Sequence, residues 1–226
     1  MKNDNYGRAR LGPGDPCAGS LCVLATLVLM LGATVATSAE PERKTIVVVG
    51  DSIAAGHGID PAETFPALLQ ERIDKKKLAY EVVNAGVSGD TTAGGVRRMP
   101  WLLRRRMDVL LVELGGNDGL RGITPKETKA NLEKIVGLAR EKNPDVQIIV
   151  AGMQMPQNMG EEYTREFRAV FAAVAKEKQT KLIPFLLEGV GGKPDLNLPD
   201  RIHPNSQGHK VIAATVWVVL EPMLAQ

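Results

Sequence analysis

The stretch TIVVVGDS, residues 45–52, decides the fold. An apolar, β-branched run closed by glycine is the pattern of a strand buried on both faces of a parallel sheet. Working outward, Phe65, Leu68, Leu69 and Ile73 recur at helical spacing, which predicts a helix from Pro61 to about Lys77 with Pro61 in its first turn. Tyr80–Asn84 reads as a second strand, Thr92–Arg106 as a second helix bent at Pro100, and Met107–Leu114 (MDVLLVEL) as a third strand as apolar as the first. Thr124, Pro125 and Glu127 form an N-terminal capping signature for a helix that Asn143-Pro144 stops near Lys142. Strands at Val146–Ala151 and Lys181–Pro184 and helices at Glu161–Lys178 and Gln207–Leu224 complete the chain. This alternation predicts an α/β fold, an open parallel sheet covered by helices on both sides, with function gathered where the strands end.

The chain has 226 residues, 44% hydrophobic and 24% charged, enough for one α/β domain with a substantial core. A net charge of +2 and 4% aromatic residues supply neither the basic field nor the stacking rings of a nucleic-acid binder, so a small-molecule substrate is expected. Residues 1–39 read as an export leader: Lys2, Arg8 and Arg10 precede an apolar stretch from Leu21 to Val35, and Thr37-Ser38-Ala39 offers a cleavage site. An uncleaved membrane anchor is the alternative. The domain would then span residues 40–226, periplasmic or secreted, a monomer without stable membrane insertion after cleavage. Cys17 and Cys22 both fall in the leader, which removes disulfides and thiolate chemistry from the mature chain. Three histidines without metal-ligand spacing argue against a metal centre, and no cofactor is expected.

Four clusters follow strands or precede the last helix: Gly50-Asp51-Ser52, Asn84 to Thr91, Gly115-Gly116-Asn117-Asp118, and Asp200-Arg201-Ile202-His203-Pro204. All should converge on one sheet edge. The phrases VVGDSIAAG, VVNAGVSGDTTAGG, LVELGGNDGLRG and PDRIHPN, in this order and spacing, resemble the SGNH (GDSL) hydrolases, and within them the bacterial periplasmic thioesterase I group, whose members also act as arylesterases and lysophospholipases. The resemblance covers about residues 44–222. It implies a three-layer α/β/α sandwich with a five-stranded parallel sheet of flavodoxin-like type. It also implies Ser52 as nucleophile, Gly89 and Asn117 in the oxyanion hole, and Asp200 with His203 as the remaining pair. The first block reads GDSI where the family has leucine, a packing position.

The chemistry stands beside the resemblance. A serine hydroxyl needs a neighbouring base, which His203 can supply, and Asp200 three residues earlier can accept the imidazole Nδ1 hydrogen. The N–H groups of Ser52 and Gly89 with the Asn117 amide would give an oxyanion three donors. Taken singly, Ser52 is equally a helix cap, Gly89 a turn glycine, and Asn117 a cap or loop brace. His57 lines the cleft or offers a second candidate base, His209 is solvated or packed, and Asp51, Asp90 and Asp118 cap helices or brace loops. Met153, Met155, Met159 and Pro156 form either an acyl-chain pocket or ordinary packing. The basic runs Lys75-Lys76-Lys77, Arg97-Arg98 and Arg104-Arg105-Arg106 read as solvated helix faces, with transient contact to lipid headgroups as the alternative. The expected activity is hydrolysis of small-molecule acyl esters and thioesters through an acyl-serine. A carbohydrate O-acetyl esterase and a non-catalytic binding module are the competing readings.

Overall fold

The computed structural model describes residues 43–224. The leader expected over residues 1–39 lies outside them. Five strands pair in parallel: β1 (Lys44–Gly50), β2 (Tyr80–Gly86), β3 (Val109–Glu113), β4 (Gln147–Ala151) and β5 (Lys181–Ile183), in the spatial order β2-β1-β3-β4-β5. The order reverses between β1 and β3, so crossovers depart to opposite faces on either side of that point, the place where open α/β sheets open a crevice. Ile46, Val47, Val48 and Val49 are fully buried, as a central strand requires.

The helices are α1 (Ser52–Ala55), α2 (Phe65–Lys75), α3 (Thr92–Leu102), α4 (Gly116–Leu120), α5 (Pro125–Lys142), α6 (Glu161–Glu177) and α7 (Ser206–Leu224). One layer is α3 on α5 on α6, the other α2 on α7, and the sheet lies between. Phe167, Val170, Phe171 and Val174 of α6 are buried in the core, at the spacing read from the sequence. Thr124 caps α5 by accepting the Glu127 N–H at 3.2 Å.

Several boundaries differ from the sequence reading. Pro61–Glu63 is a separate 3₁₀ turn, and α2 begins only at Phe65, capped by Thr64. Had one helix run from Pro61, Pro66 would sit in its interior without an N–H and against a preceding carbonyl, whereas in the first turn of α2 it costs nothing. α3 ends at Leu102, four residues short of the expected Arg106. The short helices α1 and α4 lie where the sequence reading assigned no element. Four or five residues carry no readable periodicity, and such helices persist only through caps and tertiary contacts.

Candidate active site

Gly50 of β1 stands level with Gly86 of β2 and Glu113 of β3, so three of the four sequence blocks leave the sheet at the same height. α1 follows β1 directly. Its N-cap is Asp51, whose Oδ1 accepts the Ile53 N–H at 3.0 Å; Ser52 is therefore the first helical residue and not the cap. A helix's first N–H groups have no intrahelical acceptor. The Ala54 N–H goes to Glu113 Oε2 at 3.3 Å, and the same oxygen accepts the Asp51 N–H at 3.1 Å. Glu113 thus clasps the turn that carries Ser52 from beneath. The sequence reading missed it, although a carboxylate within the apolar run VLLVEL, residues 109–114, was the available signal.

Ser52 is nearly buried, and its Oγ lies 3.0 Å from His203 Nε2 although 151 residues separate them. His203 Nδ1 is 2.7 Å from Asp200 Oδ2. Asp200 Oδ1 accepts the backbone N–H of Ile202 and of His203. These N–H groups, that of His203 foremost, and the His203 ring hold the Asp200 carboxyl well below the usual carboxylate range. The segment is a tight loop and not a helical turn: Arg201 donates to the Leu198 carbonyl at 2.8 Å, Leu198 donates to the His203 carbonyl at 2.8 Å, and Arg201 adopts φ 61°.

Asn117 is the second residue of α4. Its Nδ2 donates to Asp51 Oδ2 at 3.1 Å and to the Asp90 carbonyl at 3.0 Å. Gly89, with φ 79°, is the third residue of a turn closed by the Asp90 N–H on the Val87 carbonyl, a position where positive φ favours glycine. Arg121 pins its carbonyl at 2.9 Å. Gly89 joins the site through this loop and is not part of the cavity wall.

The expected aspartate roles divide by hydrogen bonds. Asp90 binds Arg98 Nε at 2.7 Å. Asp118, fully buried, accepts both the N–H and the hydroxyl of Thr92 and so ties α4 to α3. Arg98 also donates to the carbonyls of Ala85 and Gly50 at 2.8 and 3.2 Å. It is a brace beneath the site, which corrects the reading of Arg97-Arg98 as a solvated pair. Burial, opposed by the Ile53 N–H and the Asn117 amide, pushes the Asp51 carboxyl up to about 6. Burial and the nearby Asp51 charge push Glu113 well up.

A cavity of about 480 Å³ opens beside Ser52, Asn117 and His203. Leu120, Met153, Met155, Pro156, Phe185 and Leu187 give it mostly apolar walls. Phe185 and Leu187, from the segment after β5, were not foreseen, because an irregular segment carries no pattern to place its side chains. Met159 does not reach the cavity. His57 is exposed, its ring 4.4 Å from that of His203. His209 is buried, and its Nδ1 accepts the Phe65 N–H at 3.0 Å; burial pushes its pKa down to about 4. It serves packing of α7 on α2 and lies apart from the cleft.

A family model described as GDSL-like Lipase/Acylhydrolase matches residues 48–211. The chain is 42% identical to Esterase TesA of Pseudomonas aeruginosa over 193 residues, covering 85% of this chain and 95% of that protein. It is 37% identical to Thioesterase 1/protease 1/lysophospholipase L1 of Escherichia coli K12 over 181 residues, 80% of this chain and 85% of that one. The crystal structure of TesA superposes with a TM-score of 0.77 at 41% identity, covering 80% of this chain and 99% of the other.

Proposed function

This chain belongs to the GDSL-like lipase/acylhydrolase family and is a carboxylic ester hydrolase acting on small-molecule esters, and we propose that it works through Ser52, His203 and Asp200 by an acyl-serine intermediate. The observation that carries the assignment is the unbroken relay of Ser52 Oγ, His203 and Asp200 at 3.0 and 2.7 Å. His203 Nε2 takes the Ser52 proton as Oγ attacks the substrate carbonyl, and Asp200 holds the Nδ1 tautomer and stabilises the imidazolium. The oxyanion is received by the N–H groups of Ser52 and Gly89 and by Asn117 Nδ2. Collapse expels the alcohol or thiol, which takes the proton from His203. A water activated by the same imidazole then releases the acid and frees Ser52.

The acyl chain occupies the cavity walled by Met153, Met155 and Pro156 with Phe185 and Leu187. Such walls favour acyl esters and thioesters over a carbohydrate O-acetyl group, whose sugar would meet few polar partners there. The names of the relatives, esterase and thioesterase 1/lysophospholipase L1, support this range of leaving groups. The leader composition supports export to the periplasm or beyond. Among the described residues no helix is long and apolar enough to cross a membrane, and the domain at residues 40–226 works as a monomer, with basic side chains available to lipid headgroups.

Ser52→Ala should lower hydrolysis of short p-nitrophenyl esters by about ten-thousand-fold or more while leaving the thermal midpoint near that of the wild type. Full activity in that variant would end the assignment, and loss of labelling by a fluorophosphonate probe provides the parallel readout. Rates across esters of increasing acyl length should then rise until the cavity is filled.

A further inference from the structure

We propose that His57 and His203 together form a chelating site for a borderline divalent cation such as Zn²⁺, and that occupation of this site switches the esterase off. The inference rests on the reading of His203 as the base, since its consequence for activity follows from removal of that base's lone pair. The histidines carry no metal signature in the sequence because the two lie far apart along the chain. The fold joins them. The ring of His57, in the loop after α1, stands 4.4 Å from that of His203 with the planes inclined at 44°. Ligand atoms of His57, Asp200 and His203 all lie within 4.8 Å of one another. Among the described residues no other group of three histidine, cysteine or acidic side chains is gathered in this way.

The ligand chemistry is already set. Asp200 Oδ2 receives the Nδ1 hydrogen of His203 at 2.7 Å, leaving the lone pair on Nε2. That carboxylate behind an imidazole is the arrangement that orients and strengthens histidine ligands in zinc sites. Two imidazoles sharing a zinc at bond lengths of about 2.0–2.1 Å hold their ring centres about 5 Å apart. The observed separation of 4.4 Å is near that spacing, and the His57 side chain that would turn towards the ion is exposed. Ser52 Oγ, 3.0 Å from Nε2, and water complete the shell. Zn²⁺ bound here replaces the hydrogen bond from Ser52 to Nε2 with a metal bond, so no base remains to accept the serine proton. A hard cation such as Mg²⁺, which prefers oxygen ligands and dehydrates reluctantly, should not compete.

The test uses the full chain freed of metal by a chelator. Zn²⁺ should abolish p-nitrophenyl ester hydrolysis reversibly, chelator should restore it, and Mg²⁺ at the same concentration should be silent. In His57→Phe, with each protein measured against its own metal-free rate, the zinc concentration for half inhibition should rise by about tenfold or more. Calorimetric titration of Zn²⁺ into Ser52→Ala should still show binding, and into His57→Phe the binding should weaken to the same extent as the inhibition. Equal midpoints for wild type and His57→Phe, or no zinc binding to the wild type, would overturn the proposal. Zinc binding that depends on His57 in a wild type without metal-free esterase activity would instead retain the site and discard the catalytic reading.

Discussion

Asn117 has both hydrogens of its side-chain amide engaged before any substrate arrives, one on Asp51 Oδ2 and one on the Asp90 carbonyl. In the proposed mechanism the Asp90 bond fixes the amide's orientation, and the Asp51 bond is the one an arriving oxyanion would compete for. Such a donor is preorganised, but its gain appears only when negative charge develops, because in the ground state the neutral carbonyl is a poorer acceptor than Asp51. Asn117→Ala should therefore lower kcat by about a hundredfold with KM nearly unchanged. Steady-state kinetics on a p-nitrophenyl ester checks this, and an equal rise in KM would assign Asn117 to substrate binding instead. At this scale the sequence was informative for residues with a block around them. Ser52, Asp200 and His203 each sit in a short phrase, and the structure brings them within hydrogen-bonding distance. Glu113 and Arg98 were not legible as supports, because their roles lie in contacts with backbone groups of other elements.

Gly86 shows how an element is positioned by what it lacks. A Cβ there would lie 2.4 Å from the Ala55 backbone nitrogen and 2.8 Å from the Ala54 carbonyl carbon, so the end of β2 permits the backbone of α1 to pass directly over it. Neither atom belongs to a side chain that can turn away. Gly86→Ala should push α1 outward, cost about 2–3 kcal/mol in stability, and reduce kcat because Ser52 moves with the helix. Denaturant unfolding together with kinetics tests it, and an unchanged midpoint would mean that α1 is not clamped by β2. The long elements were readable from period and caps, as Thr124-Pro125-Glu127 at α5 demonstrates. α1 and α4 were not, since their stability comes from Asp51 and Glu113 in one case and from Asp118 in the other, none of it local propensity.

Across the whole molecule, two buried carboxyls and one buried histidine act in opposite directions on the pH dependence of stability. Asp51, raised to about 6, stabilises the fold below its unfolded value and loses that contribution as pH rises through 6. His209, lowered to about 4, does the reverse: the unfolded chain binds a proton below about 6.5 that the folded one refuses, so its contribution falls as pH drops towards 4. Each amounts to about 3 kcal/mol at most, and over the shared window they largely cancel. Glu113 is left without an opponent. Its carboxyl is fully enclosed, with Oε1 lacking a partner among the described residues, and its raised value places its loss of stability at higher pH. Glu113→Gln retains a carbonyl oxygen for the Asp51 and Ala54 N–H groups but cannot ionise. Any fixed cost of burying its amide is the same at every pH, so the slope is the readout. Thermal midpoints measured between about pH 5 and pH 9 should fall more steeply in the wild type than in Glu113→Gln, the gap opening as pH rises. Parallel curves would show that Glu113 is already ionised in the folded state throughout that range, as it is in the unfolded chain. A steeper wild-type curve would show that enclosing the carboxyl that clasps the Ser52 turn makes its ionisation costly to the fold.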